Sequence, residues 1–121
     1  MLRLSDREWT VLGALWETGG AELGELVDRL RPHTGWNRNT VLTYLTRMEA
    51  KGLVDIDKGA SPHVYRAALD RADCQAQERH SFLQRVYRGA AGDMITAFLK
   101  EEPLSPEERE KLRKLLDDME V

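Results

Sequence analysis

Between Trp36 and Gly52 the chain places Arg38, Asn39, Leu42, Thr43, Thr46, Arg47 and Lys51 at intervals that share the wide side of an α-helix, while Val41, Tyr44, Leu45 and Met48 share the narrow one. The chemistry open to such a row is recognition rather than turnover. Guanidinium and carboxamide groups match base edges in the major groove, arginine to guanine and asparagine to adenine. Arg38, Asn39 and Thr43 stand near the start of the helix, where a groove-inserted helix meets bases. Leu42 lies on the same side, placed to touch a thymine methyl. Arg47 and Lys51, one and two turns further on, suit phosphates. Past the helix, Lys58, Ser61 and His63 surround a turn and could reach the backbone or the minor groove. The plainer reading, a merely solvated helix face, explains the polarity but not why helix, hairpin and charge sorting agree.

Other chemistries find less support. The soft metal ligands are His33, His63, His80 and Cys74, and no two have metal-site spacing, so no metal is expected. No glycine-rich phosphate loop follows a strand, and no serine, histidine and aspartate group as a nucleophilic centre. Neither a cofactor nor an enzymatic activity is expected. Cys74 reads as a small packing residue, since no second cysteine exists to resolve an oxidised form.

The elements that must position the reading face follow from local signals. Ser5-x-x-Glu8 is a capping box opening a helix with Trp9, Leu12, Leu15 and Trp16 at helical spacing, broken by Gly19-Gly20. A second helix fits 22–31, with Leu23, Leu26, Val27 and Leu30 on one side and Pro32 ending it. Asn37 caps the third and Gly52 stops it. Residues 53–58 and 63–68 alternate apolar and polar around Gly59-Ala-Ser-Pro62, which predicts a β-hairpin, with a short extended piece near Ala21. Three helices and a hairpin in this order make a winged helix-turn-helix. A further helix over 70–88 carries Phe82, Leu83, Val86 and Tyr87. After Gly89 to Gly92 the pattern resumes with Met94, Ile95, Phe98 and Leu99, and Ser105-Pro106 opens a last helix with Leu112, Leu115, Leu116 and Met119. Short helices of this kind cannot enclose their own apolar stripes and need a partner. The expected architecture is mainly α with a small β-hairpin: a winged-helix DNA-binding domain over 1–69 and a helical dimerisation region over 70–121.

Composition bounds these expectations. At 121 residues, 41% hydrophobic and 32% charged, the chain fits one domain plus an appendage, not a disordered tract. Nothing in it is apolar enough over about 20 residues to span a bilayer, and its start lacks the basic-then-apolar pattern of a signal peptide, so a cytoplasmic protein without membrane insertion is expected. The net charge of −3 opposes nucleic-acid binding at first sight. Charge is sorted, however: residues 31–66 hold six Lys or Arg against three acids, and 101–121 hold four against eight.

Over nearly its whole length the chain resembles the penicillinase-repressor family, the BlaI/MecI/CopY type of winged-helix transcriptional repressor. The resemblance runs through Leu4-Ser-x-x-Glu-Trp9-x-Val-x-x-x-x-Trp16, then Trp36-Asn-x-x-Thr40-Val-x-Thr43-x-Leu-Thr-Arg47-x-x-x-Lys-Gly52, Tyr65, Val86-Tyr-x-Gly89 and Phe98 to Leu104-Ser. It implies a homodimeric repressor that binds a palindromic double-stranded DNA operator before antibiotic-resistance or related genes. It adds Thr40 to Thr43 as recognition-helix threonines, and it sets Leu42 where relatives often have arginine. It also implies derepression through a membrane sensor-protease pathway that cuts the C-terminal helices. The aligned bond is Ala97–Phe98, with the phenylalanine kept and alanine in place of asparagine. Copper-responsive members carry a cysteine-rich tail that Asp-Asp-Met-Glu-Val121 does not match. Two other uses remain open at this stage: a winged helix docking an acidic protein partner, and a regulator that senses a small molecule in its helical half.

Overall fold

The computed structural model describes residues 3–119. Its elements are α1 (Asp6–Thr18), β1 (Ala21–Glu22), α2 (Leu23–Thr34), α3 (Arg38–Ala50), β2 (Val54–Asp57), β3 (Val64–Ala67), α4 (Arg71–Tyr87), α5 (Ala91–Glu101) and α6 (Pro106–Asp118). The three strands form one antiparallel sheet in the order β1-β3-β2, with Tyr65 opposite Ala21 on one side and Ile56 on the other. The fold is the mainly helical winged helix-turn-helix that the sequence predicts.

The capping signals act as read. The Ser5 hydroxyl accepts from the Glu8 amide at 3.2 Å while the Glu8 carboxylate accepts from the Ser5 amide at 2.9 Å. Ser105 and Glu108 repeat this pair at the start of α6, and the Ser105 amide and hydroxyl hold the Glu108 carboxyl below the usual carboxylate range. At the end of α3, Gly52 takes φ 79°, its amide bonds the Glu49 carbonyl, and the Leu53 amide bonds the Met48 carbonyl. This pattern of two bonds crossing a left-handed glycine terminates the helix and turns the chain into the hairpin. It also uses the Leu53 amide, so β2 starts at Val54, one residue later than the alternation alone suggests.

One boundary differs clearly from expectation. α2 does not end at Arg31; it runs through Pro32 to Thr34 and closes at Gly35. A proline removes one donor to the carbonyl four residues back. Here that residue, Asp28, is exposed, so its carbonyl can face water. The Thr34 hydroxyl bonds the Leu30 carbonyl at 2.8 Å and accepts from the Trp36 amide at 3.1 Å, which stitches the last turn to the start of α3.

Val11, Leu12, Leu15, Leu26, Leu45, Met48 and Val54 make a fully enclosed core under the first three helices and the sheet. The compact unit built on it extends beyond Leu69, and the division falls between Glu78 and Arg79, inside α4. Its extension is anchored: the Trp16 indole N–H donates to the Leu69 carbonyl at 2.9 Å, the Arg71 guanidinium lies 5.7 Å from the Trp16 ring, and Cys74 is buried. Burial pushes the Cys74 thiol above its ordinary value, and the Asp73 and Asp70 carboxylates push it the same way. The second unit, from Arg79, contains the rest of α4 with α5 and α6, and neither α5 nor α6 has a buried residue. No helix among the described residues is long and apolar enough to cross a membrane.

Glu8 is the one buried charged residue described. Its carboxylate meets the Lys51 ammonium at 2.9 Å, tying the first turn of α1 to the end of α3. Burial by itself would raise its pKa. The Ser5 amide, Lys51 and the Ser5 hydroxyl outweigh burial and hold the carboxyl below its ordinary value. A depressed carboxylate stabilises the fold above the unfolded-chain pKa of about 4.3 and loses that contribution as pH falls through the folded-state value. Glu8→Gln should therefore lower unfolding free energy by about 1 kcal/mol at pH 7, and the gap to the parent chain should close below about pH 4. Urea unfolding of both chains at several pH values measures this; a gap that stays constant down to pH 3 contradicts it.

Candidate nucleic-acid interface

α3 is held from one side. Val41, Leu45 and Met48 are buried against α1, α2 and β2, and Tyr44 is half-buried with its ring 4.9 Å from Trp36. The other side leaves Arg38, Asn39, Leu42, Thr43, Thr46 and Arg47 exposed, with Thr40 half-buried between the two. Asn37 is consumed as the cap: its side-chain oxygen accepts from the Thr40 amide at 2.9 Å. The Thr43 hydroxyl donates to the Asn39 carbonyl at 2.8 Å, which commits its proton and leaves its oxygen able to accept.

Two shallow grooves flank this helix. Asn37, Asn39, Thr40, Thr43, Tyr44 and Arg47 border the first. Arg38 and Leu42 border the second, opposite Pro62 and His63 of the hairpin and Glu22 to Gly24 at the start of α2. The expected recognition residues Arg38, Asn39, Thr40, Leu42 and Thr43 are thus gathered on and beside one helix, with His63 facing the edge that holds Arg38 and Leu42. Ser61 is exposed at the hairpin tip, where the Asp57 carboxylate accepts from the Gly59 and Ala60 amides at 3.1 and 3.3 Å and fixes the turn.

The basic residues divide into two groups. Lys51 is committed to Glu8, and the Lys58 ammonium lies 3.4 Å from the Glu49 carboxylate. Arg38 and Arg47 are exposed and make no ion pair among the described residues, with the Glu22 carboxylate bordering the same groove as Arg38. The sequence suggested phosphate contact for Lys51 beside Arg47, and contact with the backbone or minor groove for Lys58. It had no signal for their partners, because contacts across the fold leave no local pattern. It also left Pro62 and the Glu22–Gly24 corner unassigned. They join the site through the pairing of β1 with β3, which two residues of strand are too few to announce.

The expected dimerisation residues lie on α4, α5 and α6. Phe82, Leu83, Tyr87 and Met94 are half-buried, with the Phe82 and Tyr87 rings 5.9 Å apart. Val86, Ile95, Phe98, Leu112, Leu115 and Leu116 are exposed. Ala97–Phe98 lies inside α5, the alanine half-buried and the phenylalanine 52% exposed.

Comparison with known proteins fits this geometry. A family model described as penicillinase repressor matches residues 4–118. A penicillinase repressor of Bacillus licheniformis is 30% identical over 116 residues, covering 96% of this chain and 91% of its own length. The methicillin resistance regulatory protein MecI of Staphylococcus aureus (strain N315) is 26% identical over 114 residues, covering 94% of this chain and 93% of its own. Among solved structures, Bacillus licheniformis BlaI, in its monomeric form in complex with the blaP half-operator, superposes with a TM-score of 0.53 at 26% identity, covering 60% of this chain and 88% of that one. With a match across nearly all of its length, the chain belongs to the penicillinase repressor family.

Proposed function

We propose that the chain is a homodimeric transcriptional repressor that grips a palindromic operator with two α3 helices, and that it controls antibiotic-resistance or related genes. The exposed side of α3 supports this most directly: Arg38, Asn39, Thr43 and Arg47 stand together, turned away from the core, on a helix whose opposite side is wholly occupied in packing. The relative BlaI, solved in complex with the blaP half-operator, supports operator DNA as the partner. In this reading residues 1–69 carry DNA contact, the first turns of α4 brace them, and the remaining helices join two protomers. Arg38 and Asn39 meet base edges, Thr40 and Thr43 the bases and sugars beside them, and Arg47 a phosphate. Lys51 and Lys58, already paired, add less than their charge suggests, whereas Ser61 and His63 bring the hairpin to the backbone.

Pairing supplies the affinity. One winged helix neutralises few phosphates, so a lone protomer binds weakly and with steep salt dependence. Once one head is bound, joining through α4–α6 makes the second contact intramolecular, which is worth about 10² to 10⁴ in affinity. The exposed row from Val86 through Ile95 and Phe98 to Leu115 and Leu116 provides apolar surface for that joining. Separation of the protomers releases the operator without altering α3. Cleavage at Ala97–Phe98 by a sensor-protease pathway, the route the family resemblance implies, would do so by detaching α6 and the end of α5.

Fluorescence anisotropy with a labelled duplex from the protein's own upstream region, at about 150 mM salt, tests the DNA contact. Arg38→Ala with Thr43→Ala should abolish specific binding and leave the circular dichroism spectrum unchanged; undiminished binding by the double variant would refute the assignment. The pairing is checked by Leu115→Glu with Leu116→Glu. We expect a monomer by analytical ultracentrifugation at micromolar concentration and an affinity at least about 100-fold lower. A monomeric parent chain, or a monomeric variant that binds as tightly as the parent, would remove the dimer from the account.

A further inference from the structure

Resting on the DNA-binding reading above, we infer that Leu42 reads the 5-methyl group of one thymine in each half-site and so takes part in selecting the operator. Leu42 is 38% exposed, and every other large apolar side chain left exposed among the described residues lies at Val86 or beyond. Within the compact unit that ends at Glu78 it therefore stands alone, ringed by Arg38, Asn39, Thr43 and Thr46. The part of its surface left open borders the groove it shares with Arg38, Pro62 and His63. The groove it borders is open: Gly24 opposite carries no side chain, and a Cβ built there meets no atom within 4 Å.

A single leucine among hydrogen-bonding groups is far too small a patch to dock a protein, since specific protein interfaces bury on the order of 800 Å² per partner. It does match the one apolar feature of the major-groove floor, the C5 methyl of thymine. Its position agrees, because Leu42 lies in the second turn of α3, beside the turn that presents Arg38 and Asn39. Four residues of helix rise about 6 Å, so Leu42 meets the duplex about one or two base pairs from the contact of Arg38. The surrounding donors and acceptors leave each base pair's hydrogen-bonding edge to other residues. Leu42 would thus distinguish a methylated pyrimidine from an unmethylated one.

The test substitutes the methyl alone. The full chain first selects duplexes from a random pool. Each thymine of the selected operator is then replaced singly by 2′-deoxyuridine, which keeps every hydrogen-bonding group. Burial of one methyl predicts about a fourfold loss of affinity at one position per half-site, and about fifteenfold when both half-sites are substituted. Leu42→Gln should bind thymine and uracil duplexes alike at that position, whereas Leu42→Met should keep the preference. Equal binding of fully uracil-substituted and thymine operators by the parent chain would overturn the inference while leaving operator recognition intact. A thymine preference that persists in Leu42→Gln would overturn it as well. Failure to select any duplex would overturn it together with the repressor assignment on which it rests.

Discussion

A helix that enters a groove has to be held by one side and one end only, and α3 meets that constraint with very few side chains. Val41, Leu45 and Met48 are enclosed by neighbours that are themselves enclosed, so the orientation of the helix about its own axis is set by close packing rather than by any contact on the outward side. Rotating α3 by one residue would expose these three and bury Arg38 or Asn39, at the cost of both apolar burial and an uncompensated charge. The Gly52 stop and the Glu8–Lys51 ion pair then fix where the helix ends along its axis. Every outward residue from Arg38 to Arg47 is consequently free to vary with the sequence being read, without loss of the fold.

Charge follows the same division. An acidic chain of net charge −3 would repel DNA if its charges were spread evenly. Several acids near α3 are already engaged: Glu8 sits under Lys51, Glu49 faces Lys58, and Asp57 is bound by the amides of the hairpin turn, while Glu22 borders the groove beside Arg38. What α3 presents outward is two unpaired guanidinium groups. Lys51 and Lys58 stay more than half exposed but each shares its charge with a carboxylate, so the number of cations between residues 31 and 66 overstates the net positive charge there.

Features encoded within one or two helical turns were legible in the sequence. Both capping boxes, the register of α3, the Gly52 stop and the hairpin depend on residues a few positions apart, and their signals were clear because packing and local propensity point the same way. Three features were not legible. Helix α2 passes through Pro32 because the one carbonyl it frees, that of Asp28, lies on the exposed side, while Thr34 secures the last turn; a proline rule weighs only the proline. Glu8 and Lys51 are 43 residues apart, and nothing in either segment names the other. The boundary near Leu69 marks a change of pattern, but the fold is decided by Trp16, which binds the Leu69 carbonyl and receives Arg71, drawing the start of α4 onto the first compact unit. Within the site the same rule applies. The face of α3 could be read from spacing, whereas the cleft beside Leu42 depends on a two-residue strand pairing with one more than 40 residues later.

The helices after Glu78 pose the opposite problem to α3. α6 opens with a capping box and both α5 and α6 have regular apolar spacing, yet they bury no residue of their own. Isolated helices of about a dozen residues are marginal in water and take most of their stability from a covered face. In the proposed dimer the surface that joins the protomers is the same surface that completes the fold of these helices. Pairing and local ordering are then one equilibrium, and any agent that lowers one lowers the other. The Ala97–Phe98 bond lies within that coupled element rather than in a loop. Its exposure to a protease would depend on how often α5 opens, and hence on whether the protomers are paired. The core that packs α3 is complete within the first unit, before α4 ends. In the proposed dimer, operator affinity would change by orders of magnitude with pairing while α3 keeps its own packing.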